Sequence, residues 1–228
     1  NLKNRLILKI HVIIFFSMKK IIYDLGASTG ENIPYYLLRS DLIIAVEACK
    51  KNCEIIKKNF QKEIVDKKLI VENCIISDVD KDEDHFYLHK NDYLLGQFPK
   101  PHEDLINKFT KVNIVKKDVY NLIKKYGEPH YIKIDLEEYD NVVLKRIFEC
   151  NIKSNYISAE AINHDVIDLF LNNKNYNSFK LSEGKNVGYL YNKIKLDLIN
   201  KKIKYSFPKN SAGPFGNDIL GKWIIKEN

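Results

Sequence analysis

The chain has 228 residues, enough for one sizeable domain and too few for two ordinary ones. Its 45% hydrophobic and 29% charged content suits a folded globular chain rather than a disordered one. Mean hydropathy is −0.33, and no run approaches the roughly 20 apolar residues of a spanning helix, which argues against an integral membrane protein. The net charge of +7 would suit nucleic acid or a membrane surface, but the excess is mostly Lys beside abundant Asn and Ile, as A/T-rich coding also gives. Four cysteines make no disulfide framework, so a reducing, cytoplasmic setting is expected.

Residues 1–17 stand apart. They hold an apolar run from Leu6 to Phe16, broken by Lys9 and His11 and preceded by Lys3 and Arg5, but no small-residue cleavage site follows. Met18 is the only methionine and a strand-like segment begins at Lys20. The expectation is therefore an upstream extension over 1–17 and a single domain over 18–228.

Strand-like apolar runs then alternate with helix-like stretches. Lys20–Asp24 leads into Gly26-Ala27-Ser28-Thr29-Gly30, and Glu31–Arg39 reads as a helix with Pro34 in its first turn. Leu42–Glu47 is a second strand. Cys49, Cys53, Ile56, Phe60 and Ile64 then form one helical stripe, which assigns the two cysteines to packing. Leu69–Ile75 is a third strand, and Asp80–Thr110 is less regular, with Phe86–His89 strand-like. Val112–Val115 reads as another strand, and Asp118 caps a helix that runs to Tyr126 and stops at Gly127. Tyr131–Asp135 is a fourth core strand, followed by a helix carrying Val143, Leu144, Ile147 and Phe148. Tyr156–Glu160 is a fifth strand and Asp165–Asn172 a helix, and Phe179–Ser182 with Tyr189–Tyr191 suggests an antiparallel closing hairpin. This alternation predicts an α/β fold: a mostly parallel sheet with helices on both faces.

In such sheets ligands bind beyond the carboxyl ends of the strands, where strand order reverses. The first such loop, Asp24 to Gly30, has glycines where the backbone must turn sharply and approach a ligand, ahead of a helix start. Its spacing is neither the dinucleotide fingerprint nor a Walker loop. Glu47 ends the second strand and could accept both hydroxyls of a ribose, chemistry shared by nucleoside-containing cofactors. Gly26-Ala27-Ser28-Thr29-Gly30 also matches a hydrolase nucleophile elbow with His164 as partner, but only one strand precedes it and that fold needs several.

Taken in order, four segments resemble the FkbM family of S-adenosylmethionine-dependent methyltransferases. They are the Asp-x-Gly-x-x-x-Gly loop, the strand-end Glu47, Ile75-Ile76-Ser77-Asp78, and Tyr131-Ile132-Lys133-Ile134-Asp135-Leu136-Glu137. Ser211 to Ile219 resembles a segment of one branch of that family. The resemblance spans Lys20 to Trp223 and implies a Rossmann-like class I methyltransferase fold. It implies S-adenosylmethionine as cofactor and O-methylation of a hydroxyl on a sugar, glycan or related small molecule. It further implies Asp24, Gly26, Ser28 and Gly30 around the methionine part, Glu47 on the ribose, and Ile76, Ser77 and Asp78 beside the adenine. One departure stands out: many members have Asp-x-Glu-Gly-x-Glu after the fourth strand, where this chain has Glu138 in place of the glycine.

The candidate proton acceptors Asp135, Glu137, Glu160 and His164 all follow the fourth and fifth strands. Asp135 and Glu160 could instead hold a divalent cation that acidifies the acceptor hydroxyl. Glu137 and Asp140 have a helix-capping alternative, and His164 a surface or capping one. Two other classes compete with the enzyme: a methyltransferase-like binding protein without turnover, suggested by Glu138, and a nucleic-acid methyltransferase, suggested only by net charge. Asp135-Leu136-Glu137-Glu138 is not the Pro-Pro-containing motif of base amino methylation, so a nucleic-acid partner is not expected.

Overall fold

The computed structural model describes residues 19–91, 95–161, 164–182, 187–198 and 201–226. The expected extension over 1–17 lies outside them. The first part of the chain forms β1 (Ile21–Leu25), α1 (Ile33–Tyr36), β2 (Leu42–Glu47), α2 (Lys50–Asn59), α3 (Gln61–Val65) and β3 (Leu69–Asn73). Next come β4 (Ile75–Ser77), β5 (Lys81–His89), β6 (Gly96–Gln97), β7 (Phe109–Asp118), α4 (Val119–Tyr126) and β8 (Pro129–Ile134). The last part holds α5 (Asp140–Glu149), β9 (Tyr156–Ala159), α6 (His164–Asn172), β10 (Ser178–Phe179), α7 (Val187–Leu190), β11 (Ile194–Leu198), β12 (Lys201–Tyr205) and β13 (Ile224–Ile225).

The central sheet has the order β3-β2-β1-β8-β9, and every pairing in it is parallel. β1 and β2 are buried at every position, which is why they read as nearly continuous apolar runs, interrupted only by Asp24 and ended by Glu47. Alternate side chains feed two cores. Tyr23, Leu25, Ile44, Val46, Ile132 and Ile134 pack against α4, α5 and Val166 of α6. Ile22, Ile43, Ala45 and Tyr131 pack against α1, Ile56 of α2 and the chain's last quarter. The α/β architecture with both faces covered is thus as expected.

Four expectations change. The third strand ends at Asn73: Cys74 breaks it, and β4 leaves for a second sheet of order β4-β7-β5-β6. That sheet takes in part of the segment read as irregular, where the Asp- and Glu-rich end of β5 lies in solvent and leaves no apolar rhythm. α1 is four residues long; Leu38 and Arg39 continue it only as turns bonded three residues back. The closing hairpin is β11–β12, which pairs only with itself, whereas Val187–Leu190 is helical and β10 pairs with β13.

Candidate functional site

β1 lies between β2, which follows it, and β8, which crosses to its other side, so the carboxyl end of β1 is the point where strand order reverses. The chain leaves β1 through Gly26 and Ala27, whose N–H groups both donate to Val46 O, at 3.0 and 2.9 Å. Gly26 has φ +82°, and a Cβ there would sit 1.9 Å from the Asp135 carbonyl oxygen. The glycine is therefore demanded by the neighbouring strand end, not only by an approaching ligand. Gly30, at φ +90°, similarly makes room for the side chains of Ile33, Phe60 and Ile56. It does not face the cleft.

Beyond this turn opens a cleft of about 210 Å³, lined among others by Gly26, Ser28, Glu47, Asn52, Ile76, Phe86, Phe98, Asp135, Glu137, Tyr139 and Asn210. Glu47 is buried at its wall. Its Oε2 accepts from Ser28 N at 2.8 Å and its Oε1 from Cys49 N at 2.7 Å. Each oxygen keeps a further lone pair for a donor in the cleft. Burial pushes the carboxyl up to about 7, against the opposing pull of those two N–H donors and of Lys133. Asn73, at the end of β3, donates to the carbonyls of Glu47 and Ala48, at 2.9 Å each, and so fixes the strand end that carries the acid.

Under the Gly26 turn lies an ionic group. Lys133 Nζ donates to Gly26 O at 2.7 Å and lies 3.1 Å from Asp135 Oδ2 and 3.3 Å from Asp24 Oδ1. Burial alone would push the ammonium down, but the carboxylates of Asp135 and Asp24 outweigh it and hold Lys133 above its ordinary value. Asp24 is fully buried and reaches Lys133 instead of the cleft. The expected ligand contact would need it in the cleft lining, where it is not found, and burial raises its carboxyl against the opposing pull of Lys133.

Asp135 and Glu137 both line the cleft. Burial, then the carboxylates of Asp135, Glu160, Asp140 and Glu138, push Glu137 up to about 7. Glu137 and Glu138 have φ of +49° and +76°, so the chain keeps left-handed backbone where the family pattern has glycine. The Glu138 side chain turns outward to accept from Gln97. Asp140 accepts from Leu136 N and Glu160 N, tying the end of β8 to the end of β9.

The remaining candidates divide. Ile76 lines the cleft, but Ser77 is buried with its hydroxyl 2.8 Å from Asp78 Oδ1 and 3.2 Å from Tyr139 Oη. Asp78 lines a separate groove beside α5 and α6. Glu160 is exposed next to the acids, and burial with the charges of Asp135 and Asp140 raises its carboxyl. His164 is exposed at the start of α6. Neither is among the cleft-lining residues. Among the described residues, no group of three or more His, Cys, Asp or Glu is arranged to hold a metal ion.

Sequence reasoning did not single out Lys133, Asn52, Phe86, Phe98, Tyr139 or Asn210. Lys133 did carry a signal, since a lone Lys in an apolar parallel strand needs buried partners. Asn210 belongs to the segment whose Ser211 and Ala212 both donate to Asn32 Oδ1 and whose Phe215 stacks on Tyr131, at 4.1 Å between ring centroids. No family model, curated protein or solved structure matches the chain, so its function is read from this cleft.

Proposed function

We propose that the chain is a Rossmann-like class I methyltransferase that uses S-adenosylmethionine to methylate a hydroxyl of a sugar, glycan or related small molecule. The observation that carries the reading is Glu47: a buried strand-end carboxylate, fixed by two backbone N–H groups at the point of strand reversal, with acceptor capacity left over. That acceptor pair suits the two hydroxyls of a ribose, which would donate to it. Ile75, Ile76, Cys74 and Phe86 supply apolar wall for a flat base, and Ser28 and Gly26 border the other end.

S-adenosylmethionine would supply a methyl group already activated on a sulfonium. What remains for the protein is to align the acceptor oxygen and take up its proton. Glu137 suits the second task, with a carboxyl pushed up to about 7 on the cleft wall. One oxygen of Asp135 is held by Lys133, leaving the other to orient the acceptor. Left-handed backbone at Glu138 preserves the loop shape that a glycine would give, which favours a working enzyme over a binding relic.

Calorimetry with S-adenosylmethionine tests the cofactor assignment. Hydrogen bonds to a charged group contribute about 1.5–3 kcal/mol, so Glu47→Ala should weaken binding by about 10- to 100-fold. Glu137→Gln and Asp135→Asn should each lower turnover on a verified acceptor by about 10²-fold while changing cofactor affinity by less than about threefold. Activity lost to EDTA and restored by Mg²⁺ would assign the acids to a cation instead. Wild-type protein that takes up neither the cofactor nor its demethylated product at millimolar concentration ends this reading.

A further inference from the structure

The chain's charge is unevenly placed. Residues 1–173 carry 26 Lys and Arg against 26 Asp and Glu, whereas residues 174–228 carry 11 Lys against 4 acids. The whole excess of +7 therefore lies in the last quarter. Coding bias raises Lys throughout a chain; it does not strip carboxylates from one quarter of it. From these features, and independently of the cleft, we propose that this last quarter is a docking surface for anionic lipid membranes.

Two features of the fold point to that occupant. The first is the β11–β12 hairpin. Leu196 is buried against the core, with Ile194, Ile203 and Tyr205 beside it. Lys195, Asp197, Lys202 and Lys204 occupy the opposite face and are all exposed. Lys195 lies directly across from Lys204, a like-charge pair that destabilises an isolated hairpin and is relieved by anions. The second is a set of exposed apolar side chains: Leu181, Tyr189, Leu190, Leu220, Ile224 and Ile225, from 42% to 85% exposed. The segments that carry them are joined. Lys180 donates to Ile219 O and lies over the Trp223 ring, Leu220 N donates to Tyr191 Oη, and Phe179 pairs with Ile224. Arg39 then links this group to the hairpin, bonding both Asp218 and Asp197 O.

A second copy of the chain would bring the same positive charge and be repelled. Nucleic acid would satisfy the lysines but leave aliphatic side chains in water, where strand binders present aromatic platforms. An anionic bilayer answers both, with headgroups for the lysines and acyl boundary for Leu, Ile and Tyr. Among the described residues no helix is long and apolar enough to cross a membrane, so the contact lies at the surface.

Cosedimentation of the full chain with vesicles tests this, using phosphatidylcholine alone and with about 30% phosphatidylserine. Binding is expected only with phosphatidylserine, falling about tenfold or more between roughly 0.1 and 0.5 M salt. The triple variant Lys195→Glu, Lys202→Glu, Lys204→Glu should lose about tenfold or more of its partitioning, and Ile224→Ser with Ile225→Ser about tenfold. The like-charge pair at positions 195 and 204 changes sign but not strength, and Lys202→Glu gives up only an exposed ion pair with Asp197, so melting temperatures should fall by no more than a few degrees. Equal binding to both vesicle types, or full binding by the triple variant, overturns the proposal. So does an absence of vesicle binding with tight capture of a short RNA that is indifferent to the Ile224 and Ile225 changes.

Discussion

At Glu47 burial and hydrogen bonding pull in opposite directions, and burial wins, leaving the carboxyl near 7. Two consequences follow with opposite signs. The folded protein holds this proton more tightly than the unfolded chain, so the stability it contributes is full below about pH 4.5 and is lost as pH rises through about 7. On the proposed reading, ribose hydroxyls would donate to the ionised form, so cofactor affinity should instead increase over the same interval. Urea denaturation at pH 5 and pH 8 should show the wild type losing roughly 1–3 kcal/mol more than Glu47→Gln. Calorimetry should show the variant's weakened affinity no longer varying with pH. Identical pH dependence in both proteins would remove Glu47 from the account. This acid was legible in the sequence because its strand ends visibly and a charge follows an apolar run. Gly26 was legible as a turn but not in its reason, since nothing local announces the Asp135 carbonyl lying across the sheet.

Between elements, the group that holds β1 to β8 at the cleft is Asp24, Lys133 and Asp135, with Asp24 and Lys133 in direct register. Lys133→Met leaves Asp24 buried without its cation, so the fold must either hold an unpaired carboxylate or protonate it, which should cost about 3–5 kcal/mol in denaturation. Asp24→Asn combined with Lys133→Met removes the stranded charge and should recover about half of that or more. A single variant costing under about 1 kcal/mol would show that the pair adds little. Elements buried on both sides were readable, as with β1, β2 and β8, and so was the amphipathic α4 helix capped by Asp118, whose Oδ1 accepts from Tyr120 N. β5 and β7 were missed over most of their length because one of their faces meets water and alternation is weak. The hairpin was misplaced because Val187–Leu190, apolar and short, fits a strand or a helix turn equally well until packing decides.

Across the whole molecule the last segment closes what the first begins. Phe215 is buried against Tyr131, Tyr36 and Tyr156, and Asp218 holds Arg39 and Tyr35. Phe215→Ala should cost about 3–5 kcal/mol, a fall in Tm of roughly 6–20 °C, read by circular dichroism. A fall of under about 2 °C would mean that this segment merely rests on the core. No periodicity could reveal that contact, because it joins aromatic residues far apart in the sequence. The same layout sets an order of events during synthesis. β1 finds β2 almost at once, but its other edge waits for β8, about a hundred residues later. At about 5–20 residues per second the ribosome leaves that edge open for roughly 5–20 s, an apolar row of unpaired N–H and C=O groups. Until β8 emerges the nascent chain carries the kind of open apolar edge that chaperones shield, and the cleft's lining is complete only once Asn210 has joined it.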